Sequence, residues 1–570
     1  MTLIGYAITI CMLTSLVILL ISLIKSRKAL LRRESGTHAK KSIGILLAIM
    51  VFFLFFSLFF VSATEQLYFD ENIYQGIAVN ILSHGNALWC QIGTGYLKGC
   101  YSNSVYHDPV GWSVIIALAF MLFGISTQTA FALQLAVGVF AIALTFVLAQ
   151  QAYGNTRTSL TAALIFALSP ILIIWSRTQA APDLPFMMLS TVSFLLFFLA
   201  MEKRNAWVTA AFLSALVMTV YTRSEAMLLL PIFAFLWLTY PSVRKTKDRI
   251  GELYRSLAGK KLNLAIAILF ILLMYPELLY VFRLALNPHY GQNEAGTQLF
   301  SYSSLINNGS TNLKFLFGGF NQVSFYPALF LGTLTIFAVM GAAYTIILRR
   351  RDDLWKPLGI SLWVLAYFFF YSSFYAGSAT YGVDSRFMLE LLPGICILGA
   401  YGFSSLSNSL GSMYAKALQT QKKKTISNIT LCSLLIIGAI VPFYTLIPLV
   451  TLPPSRMPQQ SLIYPAMQFF YKNYDTVSTR CMVFSFTPEI WYDVNRSSAQ
   501  VSYANSISPE TQSYMSNYTC FVFDYGYWCN TPPYDNTLCR GYNSSDGWKT
   551  LAYNTSNGHV FGLYEFNTTK

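Results

Sequence analysis

Apolar and polar residues alternate along this chain in blocks. Nearly continuous hydrophobic runs occupy roughly 3–24, 43–62, 127–150, 159–177, 184–201, 206–221, 224–240, 262–282, 325–348, 357–375, 387–403 and 427–450. Most reach the ~20 residues that a helix needs to cross a bilayer, so the pattern predicts about twelve transmembrane helices. Two stretches depart from it. "VGWSVIIALAFMLFG", residues 110–124, is apolar but too short to span, and is expected to lie against the membrane surface. After Asp70-Glu71, Ile73, Ile77 and Ile81 recur with Tyr74, Ala78 and Leu82 at helical spacing. That stretch predicts a second interfacial helix, apolar face down. From residue 451 the long runs stop. Tyr, Asn, Ser and Thr dominate, with short runs such as "RCMVFSF" and "CFVFDYGYW", which predict a small α/β or mostly β domain.

Composition fits this picture: of 570 residues 55% are hydrophobic and 11% charged, against about a quarter charged in a soluble protein. The net charge of +14 is not spread as a nucleic-acid footprint. It gathers at Lys25–Lys41, Arg244–Lys261, Arg349–Lys356 and Lys416–Lys424, between apolar runs, as expected of cytoplasmic loops. Placing 25–41 in the cytoplasm puts loops 63–126, 178–183, 283–324 and 376–386, the tail and both termini outside. The parity requires that 110–124 does not span. The external segments carry sequons at Asn308, Asn495, Asn517, Asn543, Asn554 and Asn567. They also carry Cys90, Cys100, Cys481, Cys520, Cys529 and Cys539, an even set suited to an oxidising compartment. Cys90–Cys100 plus two bridges within the tail is the simplest pairing. Zinc ranks lower, because the tail shows no CxxC.

The external face also collects charge at helix ends. Asp70 and Glu71 open the surface helix, and "VYHDPVGW" holds Tyr106, His107 and Asp108. Asp183 opens the fifth span, "YTRSEAMLLLP" places Arg223 and Glu225 at another boundary, and "YGVDSRFMLELLP" supplies Asp384 and Arg386. A charge drawn toward the bilayer centre costs ~2.5–3.5 kcal/mol, so clustering on one face suggests a site. The structural alternatives are a capping role for Asp70 and Glu71 and snorkelling end residues. Snorkelling is the reading for Arg177 and Arg283.

In order and spacing these features resemble the polytopic GT-C glycosyltransferases that use lipid-phosphate sugars. That group includes the protein mannosyltransferases and the aminoarabinose transferases. The resemblance rests on Asp70-Glu71 with "IYQGIAVNILSHG", on Tyr106–Trp112 leading to a helix that ends in Phe123-Gly124, on Asp183, and on Arg386-Phe387 with Pro393. It covers roughly residues 43–400. Val110 stands where a second proline is usual, Asp108 stands near the place of a lysine found in some aminoarabinose transferases, and an extra span precedes the usual first one.

The resemblance implies an all-α polytopic membrane protein with an extra N-terminal span and basic loop (1–42). A GT-C-like domain (43–450) would hold its catalytic loop at 63–126. The external tail (451–570) would be disulfide-stapled. It also implies a sugar donor on polyprenyl or dolichyl phosphate and an acceptor hydroxyl on a protein, glycan or lipid, with no nucleic acid. Asp70 would be the general base, with Glu71 sharing or orienting it. Arg386, and second Arg223, would hold the donor phosphate. Asp183 and His107 with Asp70 would be ligands for a divalent cation. Tyr106, Asp108 and Asp384 would support the acceptor. The expected location is a multi-pass cell membrane, archaeal in type rather than endoplasmic reticulum. Two alternatives stand beside it: a transporter, and a non-catalytic glycan-binding scaffold. "EIWYDVN" and "DYGYW" match fragments of the oligosaccharyltransferase WWDYG motif, and are read as chance.

Overall fold

The structure is a computed structural model. It describes residues 2–30, 37–61, 70–93, 100–104, 106, 108–178, 180–240, 261–285, 298–317, 328–348, 354–375, 377–378, 384–417, 423–441, 443–444, 447, 463–501, 516–530, 539, 548–556 and 558–567.

Helices dominate up to residue 441. In chain order they are α1 (Thr2–Leu30), α2 (Thr37–Phe60), α3 (Asp70–His84), α4 (Gly111–Phe123), α5 (Thr127–Tyr153), α6 (Thr156–Ala167), α7 (Pro170–Thr178), α8 (Asp183–Lys203), α9 (Ala206–Thr222) and α10 (Leu229–Thr239). Then come α11 (Lys261–Ala285), α12 (Tyr302–Phe317), α13 (Ala328–Leu348), α14 (Trp355–Ser373), α15 (Leu392–Ala417) and α16 (Lys423–Leu435). Each expected span overlaps a described helix over part of its length. Four stretches, Leu3–Arg27, Lys40–Phe60, Thr127–Tyr153 and Asp183–Lys203, are each long and apolar enough to cross a bilayer.

Three expected spans differ from the sequence reading. Residues 159–177 form α6 and α7, bent by 55° at their junction. Pro170 is the cause: it lacks an N–H, and its ring clashes with the preceding turn. The run read as 387–403 becomes a short 3-10 turn, Asp384–Met388, followed by α15. Pro393 fits only the first helical turn. Small residues carry α15 further: a Cβ on Gly341 of α13 would sit 2.0 Å from the Leu398 carbonyl oxygen, and one on Gly402 2.1 Å from that of Phe337. The two backbones touch, as small residues permit between membrane helices. The run read as 427–450 is regular only to Leu435, and a π-turn occupies Ile436–Ile440.

The two short outer helices pack together rather than lie separately on a surface. α4 is 13 residues long. Its N-terminal part is buried and its last residues, Met121–Phe123, are exposed apolar groups. Gly111 begins it hard against α9, where a Cβ would meet the Tyr221 carbonyl oxygen at 2.5 Å. α3 is buried on its polar as well as its apolar side, including Asn72, Gln75 and Asn80. Asn80 compensates by donating to Asn86 Oδ1 and to the Leu88 carbonyl, at 2.9 and 2.8 Å.

The tail is a mixed α/β unit with helices α17 (Ile463–Asn473) and α18 (Pro488–Asp493). Its strands are β3 (Cys481–Ser485), β4 (Ser497–Gln500), β5 (Cys520–Tyr525), β6 (Trp548–Ser556) and β7 (His559–Asn567). β1 (Trp89–Gly93) and β2 (Cys100–Ser104) of the first loop join them in one sheet, ordered β2-β1-β4-β3-β5-β7-β6. β1 meets β4 antiparallel at Ile92–Ala499 and Gly93–Ser498, while β3 lies parallel to β4 and β5. Disulfides link Cys90–Cys100, Cys481–Cys520 and Cys529–Cys539. Among the sequons, Asn495, Asn517 and Asn554 are exposed on the tail. The Asn308 amide is engaged, donating to the Phe374 carbonyl at 2.6 Å.

At one end of the helical bundle polar groups close on each other. Arg157 donates to Ser407 Oγ and to the Ser427 carbonyl, at 2.9 and 2.6 Å. Lys356 donates to the Gln151 carbonyl and pairs with Glu202. The charged residues of the outer loops gather at the other end.

Candidate active site

The site is assembled from four helix ends and one loop. Asp70 is the first residue of α3 and Asp183 the first of α8. Arg223 follows α9, and Arg386 sits in the 3-10 turn before α15. Both carboxylates thus sit at helix N-termini, at the positive end of the helix dipole.

Asp70 faces Arg386, with Oδ2 3.7 Å from Nη1 and both side chains partly open to solvent. The guanidinium is backed by the Phe387 ring, 5.1 Å away, and that ring stacks on Tyr371 at 4.6 Å. An aromatic wall of this kind fixes the plane of the charge and excludes water from one side. Glu71, the next residue, is fully buried. The adjacent carboxylates, one residue apart on a helix, therefore occupy different surroundings.

Asp183 is almost entirely buried. Its Oδ1 accepts from Arg223 Nη1 at 2.7 Å, while Oδ2 has no hydrogen-bond partner among the described residues. Arg223 is fully engaged: Nη2 reaches Glu225 Oε1 at 2.6 Å, and Nε lies 3.1 and 3.2 Å from its two oxygens. Its guanidinium thus holds two carboxylates in place, a geometry suited to positioning Asp183.

Two tyrosines connect these charges. Tyr74 and Tyr106 are buried and pack edge to face, 5.8 Å between ring centres. Burial first raises the Tyr74 phenol well above its ordinary range, and Asp108, Asp70 and Asp183 add to that against Arg223. The Tyr106 phenol is raised in the same way, by burial and then by Asp70, Tyr74, Asp108 and Glu489. Both hydroxyls therefore keep their protons at neutral pH. Asp70, Asp108, Asp183 and Arg223 share one electrostatic neighbourhood around Tyr74.

Glu489, on α18 of the tail, reaches the same place. It accepts from the indole N–H of Trp89, 400 residues away in sequence, and Trp89 packs on Tyr106 at 5.6 Å. Sequence reasoning missed Glu489 and Trp89 as neighbours of the site, because nothing local signals a contact of that separation. The two fragments read as chance do meet: Trp491 Nε1 donates to Asp524 Oδ2 at 2.9 Å, and Ser485 Oγ donates to the same oxygen at 2.9 Å. Both Trp491 and Asp524 are buried, so the pair is part of the tail's interior. Tyr527 is likewise buried and packs against Trp528.

His107 lies outside the described residues, as does the side chain of Asp384. One member of the expected cation set of Asp70, Asp183 and His107 thus lies outside the described residues. Among the described residues, three ligand atoms of His, Cys, Asp or Glu come within 4.8 Å of one another at Cys481, Cys520 and Glu565. The two cysteines there are joined as a disulfide, so that group does not fit a metal, nor do the described carboxylates around Tyr74 form a three-ligand cluster.

Residues 107–259 match the family described as dolichyl-phosphate-mannose-protein mannosyltransferase. An uncharacterized protein of Aquifex aeolicus is 28% identical over 189 residues, 32% of this chain and 36% of that protein. The chain thus spans about a third of that relative's length. Among solved structures, apo ArnT from Cupriavidus metallidurans superposes with a TM-score of 0.57 at 12% identity, covering 93% of this chain and 98% of ArnT. The same enzyme bound to undecaprenyl phosphate gives 0.56 at 13%, covering 92% and 97%. The archaeal oligosaccharyltransferase AglB from Archaeoglobus fulgidus, in complex with an inhibitory peptide and a dolichol-phosphate, gives 0.50 at 14%, covering 91% and 74%. The resemblance to the GT-C glycosyltransferases therefore holds both in the family match and in the fold.

Proposed function

We propose that this protein is a GT-C glycosyltransferase that moves a sugar from a polyprenyl- or dolichyl-phosphate donor to an acceptor hydroxyl. The observation that carries this reading is the opposition of Asp70 and Arg386 across 3.7 Å, within a fold shared with ArnT and AglB. ArnT has been solved with undecaprenyl phosphate, and AglB with a dolichol-phosphate. A lipid phosphate bound by two chains of this fold supports a lipid-phosphate donor here.

The chemistry follows from the two groups. The acceptor oxygen forms a bond to the anomeric carbon as the bond from that carbon to the phosphate oxygen breaks. The acceptor proton passes to the Asp70 carboxylate, which needs to lie within hydrogen-bond reach. Negative charge grows on the departing lipid phosphate, and the planar guanidinium of Arg386 faces it with paired donors. An incoming phosphate competes with Asp70 for Arg386, and the Asp70 carboxylate turns to the acceptor proton. Glu71, buried behind Asp70, steadies the first turn of α3. Asp183, gripped by Arg223, presents its second oxygen toward the acceptor. Arg223 acts by positioning, and Tyr74, Tyr106 and Asp108 complete the polar surround. The described residues do not build a three-ligand metal cluster here.

The site belongs on the external face, opposite the lysine-rich loops, with twelve crossings and both termini outside. An archaeal cell membrane suits the sequon-bearing tail. Transfer of radiolabelled sugar from a polyprenyl-phosphate donor tests the assignment. Asp70→Asn should abolish transfer while undecaprenyl phosphate still binds, and wild-type transfer by that variant would falsify the reading.

A further inference from the structure

We infer that the groove between α2, α5 and α17 binds an anionic membrane lipid, and that this lipid is the acceptor. The inference rests on the transferase reading above and supplies the acceptor class which that reading leaves open. The groove encloses about 1380 Å³, ample for a lipid chain. Its walls are two helices that are each long and apolar enough to span a bilayer, so its natural occupant comes from the membrane.

Polarity changes along its length. Near the site end the rim is formed by Thr127 and Gln128 of α5, Arg177 of α7, and Gln468 and Lys472 of α17. Further along, the lining is Leu54 of α2 with Leu135, Ala136, Val139 and Phe140 of α5. From Thr127 to Phe140 the helix rises about 20 Å, roughly two-thirds of a hydrocarbon core. Two cations at the polar mouth and none among the lining residues beyond it match a phosphate head on an apolar chain. Arg177, read from sequence as a snorkelling residue, is half-buried in this mouth, its Nε 3.4 Å from the Val61 carbonyl.

The mouth also leads to the reacting groups. Residues 178–183 join Arg177 to Asp183. Within it, Trp112 Nε1 donates to the Ala180 carbonyl and Gln134 Nε2 to the Ala181 carbonyl, at 2.8 and 3.1 Å. Arg177 is in the last turn of α7, which packs on the 3-10 turn that carries Arg386, so a head group there lies at the end of the bundle that holds the reacting groups. Lys472 comes from the tail, so the external domain closes the lipid's head against the membrane domain. A cavity of about 30 Å³ inside the tail is too small for an acceptor.

The test uses the full chain in nanodiscs of phosphatidylcholine with a minor fraction of phosphatidylglycerol. Native mass spectrometry should find phosphatidylglycerol retained, with retention about tenfold weaker in Lys472→Glu and lost in Ala136→Trp, which plugs the apolar depth. Undecaprenyl phosphate binding should be unchanged in both. In membrane extracts, label from the donor should appear in the lipid-extractable fraction and fall in both variants. Unchanged retention, or an equal loss of undecaprenyl phosphate binding, would overturn the inference, the second by giving the groove to the donor. Label confined to protein or to water-soluble glycan would also overturn it. Groove-dependent retention with no transfer by the wild type would remove the acceptor role through failure of the transferase reading, separably from the binding result.

Discussion

The two ends of the helical bundle carry similar residues and use them differently. At one end, Arg157 is saturated by Ser407, Ser427 and Asn408, and Lys356 by Gln151 and Glu202. At the other, Arg386 meets Asp70 at only 3.7 Å, and Asp183 leaves one buried oxygen without a described partner. Saturated polar groups stabilise a fold. A buried carboxylate oxygen without a described partner keeps hydrogen-bonding capacity for something that arrives. Arg223 shows both behaviours in one place, since its own guanidinium is saturated while it holds Asp183 for use.

Substitutions sharpen or break this contrast. The largest effect is expected for Asp70→Asn, a loss of transfer of about 10²–10⁴-fold, with the melting temperature unchanged. A collapse of the fold would instead put Asp70 among the structural groups. Arg386→Ala should slow transfer about 10²–10³-fold, and Arg386→Lys should recover only part of this because the paired donors are lost. Equal rates for Lys and Arg would show that charge alone matters there. Arg223→Gln should lower both stability and transfer, as expected for a positioning residue whose loss leaves Asp183 and Glu225 buried without their partner.

At the opposite end, Arg157→Ala should cost about 1–3 kcal/mol of stability, read by thermal unfolding, while transfer per folded molecule stays at the wild-type level. The smallest effect is a pH dependence in the tail. Burial raises the Asp524 carboxyl above its ordinary range, against the hydrogen bonds from Trp491 and Ser485. With the folded value above the unfolded one, the folded tail binds the extra proton between the two. Stability is then greatest below the unfolded value and declines as pH rises through the folded one. Asp524→Asn should flatten that decline in a pH series of melting curves, and an unaltered slope would assign it to another group.

Much of the site was legible from local chemistry. Asp70 stood out because a carboxylate pair follows an uncharged run, and Arg386 because a charge precedes an apolar one. The bend between α6 and α7 is written in Ser169-Pro170. The roles within the cluster were not legible. Arg223, expected as a second phosphate ligand, pairs with Asp183 and Glu225, 40 and 2 residues away, and no sequence window shows those partners. Glu489 gave no signal, since its partner Trp89 lies in a separate part of the chain. The surface helix at Asp70–His84 showed a clear apolar face, yet α4 and the tail bury its polar face as well.

By itself the sequence determined roughly where helices run, which loops carry the positive charge and which six cysteines are available to pair. These depend on hydropathy and charge summed over short windows, and a window needs no partner. Only the tertiary structure decided that the first loop completes the tail's sheet and which carboxylate is held or left open. It also decided that α2, α5 and α17 enclose a groove. Strand pairing uses backbone groups common to every residue, and an ion pair forms wherever folding brings two ends together. Neither leaves a mark on the neighbouring residues from which it could be read.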